Sequence, residues 1–561
     1  MKGSAHLNVL KLNDYLLSVL FEDDDILAID KPYGINSHTN ESKTEHGELA
    51  QDGLIEIYEK NLGRRLYIIH RLDQTTTGVI IFGKSAEAAK KYAEFFFQRQ
   101  VKKTYWFITA EKSTKTEFLI DQTIVHKGKN LEAKTKLCFL KKLSGFELWQ
   151  AHPLTGRNHQ IRIHAKAAGL SILGDDKYGG KNFPFICLHN HRIEFQNGIV
   201  IISTAPYYFE HLHLLENQIL SKAIFETDRR QRLFSFPNLS DQCFRLVHTK
   251  NDTKNSGLTL DQFGKKLVLS CYDEKWSEAH QKTFSYYARW QKKPIVVRMM
   301  HNRGKDPLNK SQFLIDENGN EIATSNEPVW LAQENNINFE MRSDSGQSFG
   351  LFLDQRLQRS WVLNQAKDKT VLNLFSYTCG FSVVAAVGGA KEVTSVDTSK
   401  NVLNWGRKNF TENQKDDLNY KFLCRDSLSF LEQSIHKKTK FDLIICDPPS
   451  FSRGEKGVFK IETSLESLIT QCLQCLNENG DLLFSTNFEG FFVDDIRRTI
   501  LKVQKALGIQ HLQINHIQPA LDFELPGSKS ILKSFLIKTR TEAFSEKSMI
   551  RTMVAADIDE N

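Results

Sequence analysis

His70-Arg71-Leu72-Asp73-Gln74-Thr75-Thr76-Thr77-Gly78 decides how the first half of this 561-residue chain is read. The stretch separates two strand candidates, Leu66-Tyr67-Ile68-Ile69 and Val79-Ile80-Ile81-Phe82. An arginine precedes the carboxylate, and small hydroxyl residues and a glycine follow it. That composition predicts a sharply turned, exposed loop that presents Asp73 to a ligand. A carboxylate in a polar turn is ordinarily just a turn residue. The segments around this one argue otherwise.

Upstream, Phe21 to Pro32 reads as an acidic turn, a short strand and a proline stop. Downstream, Lys84 to Arg99 has helical spacing. Lys90, Lys91, Arg99, Lys102 and Lys103 form a basic cluster interleaved with Phe95 to Phe97, Tyr105 and Trp106. Such a mixture can hold phosphates and stack bases, although the aromatics alone read equally as core. Residues 137–152 alternate as strands and lead into Thr155-Gly156-Arg157-Asn158-His159-Gln160-Ile161-Arg162-Ile163-His164, then Gly174-Asp175-Asp176-Lys177-Tyr178-Gly179.

In this order the segments resemble the RluA-type pseudouridine synthases, with their HRLD-x-x-T-[ST]-G loop, KP-x-G opening, K-x-Y strand, TGR-x-HQIR-x-H block and GD-x-x-YG turn. The resemblance covers residues 15–220. It implies an α+β domain with an antiparallel mixed sheet, no cofactor and no metal. It makes Asp73 catalytic, pairs Arg162 with it, and sets Tyr105 beside the uridine. Arg71 fills the stack that a flipped base vacates. Lys31, Lys103, Arg157 and His159 are the expected RNA-binding residues, Lys31 lying near the RNA backbone or the catalytic loop. Isomerising uridine breaks the bond from C1′ to the base nitrogen and rejoins the base through C5. A carboxylate can attack C1′ or remove the C2′ proton, and the sequence leaves both open.

The second half differs. Phe244 to His248 and Gly257 to Gly264 read as strand, turn, strand; Gly346 to Arg356 holds a GQ-x-x-G-x-F-x-DQR element. From 371 onward strands and helices alternate, which predicts a mostly parallel, Rossmann-like α/β sheet. Its expected strand ends are Phe375-Ser376 with Gly380, Asp397, Asp426, and Asp447-Pro448-Pro449-Ser450-Phe451. These segments resemble RlmK/RlmI-like S-adenosylmethionine-dependent ribosomal RNA methyltransferases. The resemblance makes Phe375, Ser376, Gly380, Asp397, Asp426, Asp447, Pro448 and Pro449 cofactor-binding. Gly380 lets the backbone approach the methionine moiety, Asp397 takes the ribose hydroxyls and Asp426 the adenine amine. A full G-x-G-x-x-G is absent, so a nicotinamide-binding domain fits less well. Cytosine-C5 chemistry needs a cysteine nucleophile. None stands after Leu483-Phe484-Ser485-Thr486-Asn487, and Cys446 falls inside a strand. Phe484-Ser485-Thr486-Asn487-Phe488-Glu489-Gly490-Phe491 resembles the FSNN-x-x-G-F segment of the RlmK-type enzymes, and that resemblance implies guanine N7 as the target, with cytosine C5 and guanine N2 as alternatives.

Composition bounds these readings. A hydrophobic fraction of 40% with 38 Phe implies well-packed globular domains. A net charge of +7 permits RNA as a partner, large-subunit ribosomal RNA by the resemblance. No apolar run is long enough for a membrane span, and residues 1–20 lack the order of a signal peptide, so a cytoplasmic location is expected. Nine scattered Cys suit reduced thiols; Cys472 and Cys475 lie on an apolar helical face rather than in a zinc site. The expected division is a synthase domain at 15–220, a linker at 221–240, a small hairpin and accessory RNA-binding region at 241–330, a methyltransferase domain at 331–540 and a tail at 541–561. The functional expectation is a bifunctional enzyme; the alternative makes one half an RNA-binding platform.

Overall fold

Ile26–Lys31 and Thr77–Gly83 are buried along their whole length and pair antiparallel, with Ile29 opposite Ile80. They belong to a computed structural model that describes residues 8–10, 18–39, 53–126, 128–183, 185–209, 212, 239–248, 257–272, 276–300, 312–322, 328–345, 348–454, 457–523 and 532–540. The expected tail, and the expected linker up to 238, lie outside these residues, as does the start of the GQ-x-x-G element at 346–347. The chain divides into two units, 15–239 with 252–258, and 1–14 with 240–251 and 259–561.

The first unit is α+β, built on one ten-stranded mixed sheet. Leu188–Phe195 lies in its middle, parallel to Thr77–Gly83 and antiparallel to Val101–Thr109. The close approach explains Gly78: its φ is 104°, and a Cβ there would stand 2.2 Å from the Asn190 carbonyl oxygen. Only glycine tolerates both. The predicted helix is Ala86–Phe97, whose Ser85 hydroxyl accepts from the Ala88 amide. A second helix, Gln160–Ala167, begins within the HQIR block.

The second unit contains an eight-stranded sheet. Leu476–Thr486, Phe441–Cys446, Thr370–Leu374, Glu392–Asp397 and Tyr420–Cys424 run parallel in that spatial order. Lys533–Arg540 joins Leu476–Thr486 antiparallel, and His511–Ile517 follows it. The far edge strand is Asn8–Leu10, from the other end of the chain, parallel to His511–Ile517. Helices cover this sheet, and Cys472, on the helix Ile461–Gln474, and Cys475, at its C-terminal cap, are fully buried. Residues 241–330 are more than the expected hairpin: a six-stranded sheet with the helix Glu278–Gln291, capped by Ser277. Among the described residues no helix is long and apolar enough to cross a membrane.

Candidate active sites

The HRLD loop closes one side of a cavity of about 1330 Å³, and Tyr105, Lys103 and the Thr155–Arg162 stretch close the other. The loop is fixed from beneath by Lys31. This side chain is fully buried, and its Nζ donates to the carbonyls of Pro32, Gln74 and Thr76 at 3.0, 3.0 and 2.8 Å. Burial pulls its pKa down to about 7, against the opposing pull of Asp73. Of the two places expected for Lys31, near the RNA backbone or at the catalytic loop, the structure shows the second: a fully buried ammonium cannot touch RNA, and its contacts are those of a loop staple. Ser37 adds a second tie, donating to the Leu72 carbonyl and accepting from the Leu72 amide. His70 accepts from the Ile81 amide at 3.1 Å and stacks on Phe96, and burial drives its pKa to about 3. It therefore stays neutral.

Arg162 lies 3.8 Å from the Asp73 carboxylate, longer than a hydrogen bond. Its fork belongs to Asp175, with Nε and Nη2 donating at 2.7 Å each. Asp175 is thus the true partner of Arg162, and Asp73 takes only longer-range help. The GD-x-x-YG turn contained this residue, but nothing in the sequence tied it to Arg162. His159 reaches 3.8 Å from Asp73 on one side and 2.9 Å from the Tyr178 hydroxyl on the other. Its left-handed backbone (φ 54°) caps the helix that carries Arg162. Burial lowers its pKa, so near neutral pH it faces Asp73 as a neutral ring. Burial and the Asp73 charge push the Tyr105 phenol up, keeping it protonated.

Around the rim, Arg71 is exposed, and Arg157 holds the Glu132 carbonyl at 3.1 Å. Lys103 donates to the Thr155 carbonyl at 3.2 Å, burial lowering it to about 8. The cavity thus gathers Asp73, Tyr105, Arg162, Lys103, Arg71, Arg157 and His159. Of the wider basic cluster, Lys91 pairs with Asp25 and Lys102 with Glu194.

In the second unit, four strand ends face the same edge of the parallel sheet, where open α/β sheets bind ligands. After Thr370–Leu374 the chain makes a turn with Phe375, Tyr377 and Cys379 all left-handed, at φ 55°, 46° and 61°. Each is costly for a non-glycine residue, by about 1–2 kcal/mol, so the surroundings must impose them. The Asp397 carboxylate accepts from the Tyr377 amide and the Ser399 amide at 2.9 Å each, and the Asn409 amide donates to the Thr378 carbonyl at 3.0 Å. The Ser376 amide donates to Val396 at 3.0 Å. Gly380, expected to let the backbone approach the methionine moiety, starts the helix Gly380–Val387 without left-handed backbone. Strain concentrated this way is typical of functional loops.

Asp426 caps the helix Ser427–His436, its Oδ1 accepting from the Ser429 amide at 2.9 Å. Asp447 ends Phe441–Cys446; burial and the nearby Asp354 raise its pKa to about 7, against Gln355 and Arg359. Cys446 is fully buried and its thiol is pushed well up by burial. Pro448 is buried and Pro449 exposed. Asp354 and Asn487, near this edge, were not singled out from the sequence.

Residues 25–167 match the family model of RNA pseudouridylate synthases, and residues 293–496 that of S-adenosylmethionine-dependent methyltransferases. The chain joins a pseudouridylate synthase domain to a methyltransferase domain. The methyltransferase domain is of the S-adenosylmethionine-dependent kind. A ribosomal RNA large subunit methyltransferase K/L of Pseudoalteromonas translucida is 40% identical over 190 residues, 34% of this chain and 25% of that protein. That of Psychromonas ingrahamii is 38% identical over 195 residues, 34% and 24% of the two chains. The chain thus spans about a quarter of the length of these relatives. Among solved structures, human RNA pseudouridylate synthase domain containing 4 is 24% identical, covering 35% of this chain and 92% of its own, with a TM-score of 0.29.

Proposed function

We propose that this chain is a bifunctional enzyme of ribosomal RNA, isomerising uridine with its synthase domain and methylating guanine N7 with its methyltransferase domain. The observation that carries the first half is a single cavity that brings Asp73, Tyr105 and Arg162 together under a cationic rim. Asp73 acts on the sugar, by attack at C1′ or by taking the C2′ proton. The glycosidic C–N bond breaks, a C1′–C5 bond forms, and the proton lost from C5 is balanced by one gained at the base nitrogen. Tyr105, held protonated, supplies an O–H donor and a stacking face. Arg162, locked by Asp175, supports the Asp73 charge from 3.8 Å. Arg71, Lys103, Arg157 and His159 line the same cavity, which supports their roles at the phosphates and the vacated stack. Lys31 acts through the loop it holds.

For the methyltransferase domain the donor set fits the cofactor. A carboxylate at Asp397 suits ribose hydroxyls, Asp426 keeps one oxygen beyond its capping bond for the adenine amine, and the rigid Phe375–Gly380 backbone and Pro448–Pro449 form walls. S-adenosylmethionine brings an electrophilic methyl group. The chain's own task is to present a nucleophile and exclude water. Guanine N7 carries a lone pair and no proton, so placement suffices. The burial of Cys446 supports this over cytosine C5 chemistry. Guanine N2 is the second reading, favoured by Asp447: a carboxylate near pKa 7 is suited to accept the proton an exocyclic amine must lose. Ribosomal RNA from cells with and without the gene decides among these. The expected losses on deletion are one pseudouridine and one 7-methylguanosine, the latter seen as strand scission after borohydride and aniline. Loss of 2-methylguanosine selects the second reading, and an unchanged modification profile refutes the proposal.

A further inference from the structure

Beside the cofactor edge lies a second cavity, of about 410 Å³, within the methyltransferase unit. Its walls come from the six-stranded sheet, the stretch 348–354 and the segment after Leu476–Thr486. None of the eight residues expected to hold the cofactor lines it. It nevertheless touches the cofactor edge at three points. The Phe352 ring lies 5.4 Å from that of Tyr377 in the strained loop. Ser450, next to Asp447-Pro448-Pro449, donates to Asn487 at 3.4 Å. Asp354 raises the pKa of Asp447 by its charge. The cavity is therefore the neighbouring chamber in which a methyl acceptor would stand.

Its lining is that of a nucleobase site. Phe352 and Tyr272 remain 48% and 50% exposed, large rings left open at a cavity wall. Two arginines act on Asp354, Arg245 from the cavity wall and Arg359 from outside the lining, and the fork of each is committed elsewhere. Arg245 holds Asp261 at 2.7 and 3.0 Å, and Arg359 holds Glu334 at 2.6 and 2.7 Å. Both charges act on Asp354, yet among the described residues no side chain hydrogen-bonds to its carboxylate. A half-buried carboxylate that its own backbone amide reaches but no side-chain donor does, set in this cavity, leaves acceptor capacity for a ligand that donates.

We propose that this cavity receives the flipped guanine, with Asp354 accepting from its N1–H and N2–H2 edge. This rests on the reading that the unit methylates guanine. Two parallel N–H···O bonds to one carboxylate suit guanine alone among the RNA bases. Adenine would turn its N1 lone pair on the same carboxylate, and the pyrimidines offer no adjacent pair of donors. The edge bound is the one remote from N7, which stays free to meet the methyl group. Phe352 and Tyr272 supply the stacking faces that replace those lost on flipping.

The test uses the full-length protein, tritiated S-adenosylmethionine and ribosomal RNA from a strain lacking the gene, with nucleoside analysis of the product. Asp354→Asn keeps the shape and loses the charge. It should lower kcat/KM on the order of 10- to 100-fold, the worth of hydrogen bonds to a charged group, while S-adenosylhomocysteine affinity and the melting temperature stay at wild-type values. Tyr272→Ala, at an exposed position, should raise the KM for RNA several-fold with kcat nearly unchanged, and remains decisive if the first variant folds poorly. Wild-type kcat/KM in both variants, with a guanine product, overturns the base pocket and leaves the guanine reading standing. A parallel loss of S-adenosylhomocysteine affinity in Asp354→Asn overturns it too, by moving Asp354 into the cofactor site. A methylated cytidine or adenosine from the wild-type protein sinks the guanine reading itself.

Discussion

Arg162→Met is the sharpest test of the synthase site, because the structure changes what it should do. Were Asp73 the partner, the substitution would cost activity and spare the fold. Arg162 instead forms a bidentate pair with Asp175, the two side chains 9% and 0% exposed. Removing one member of such a pair leaves a buried charge uncompensated, at a cost of about 3–5 kcal/mol. In a domain of this size each kcal/mol moves the melting temperature by roughly 2–4 °C, so the shift should be on the order of 6–20 °C. That is a large share of a typical stability of about 5–15 kcal/mol. Differential scanning calorimetry of the full chain measures it. Added S-adenosylmethionine should raise only the methyltransferase transition, which tells the two apart. The double variant Arg162→Met/Asp175→Leu should recover most of the loss, since neither partner is then stranded. A single variant melting within about 2 °C of wild type would refute the reasoning.

Asp73→Asn should abolish isomerisation without lowering the melting temperature; tritium release from C5-labelled uridine RNA at the normal rate would exclude Asp73 from the chemistry. Asp397→Ala should weaken S-adenosylmethionine binding by about 1.5–3 kcal/mol, read by calorimetry, while pseudouridine formation persists; unchanged affinity would remove Asp397 from the cofactor site. Lys31 and Lys103 have folded pKa values of about 7 and about 8, below the usual lysine value, because burial disfavours the charge. The unfolded chain therefore binds more protons above pH 7, and the stability of the synthase domain should rise from about pH 7 towards 9.5. Urea unfolding at a series of pH values checks this; a flat or falling curve contradicts it. Cys446→Ser should leave methylation largely intact, and a trapped adduct with 5-fluorocytidine RNA would reopen cysteine chemistry.

The two-domain plan was legible because each half repeats a local pattern that local physics enforces. Alternating and buried apolar runs make Ile26–Lys31, Thr77–Gly83 and Thr370–Leu374 strands wherever they pack. Gly78 could be read as a turn residue, and the reason no other residue fits, the Asn190 backbone arriving from 112 positions later, could not. The candidate residues Asp73, Tyr105 and Arg162 were nameable from their motifs.

Pairing was not nameable. Asp73 precedes Arg162 by a long stretch of chain and Asp175 follows it by 13 residues, and only folding decides which one receives the guanidinium fork. The sequence left Lys31 open between the RNA backbone and the catalytic loop; three inward carbonyls, two of them from the loop 43 and 45 residues on, make it a staple. The left-handed backbone at Phe375, Tyr377 and Cys379 runs against local preference and exists because Asp397, Val396 and Asn409 hold the loop from other elements. By itself the sequence determined which segments are strands and helices and which residue types stand at their ends, since both follow from short-range periodicity and motif. The tertiary structure alone decided which charges meet and which are stranded, because hydrogen bonds and desolvation depend on distances between segments that the chain order leaves free.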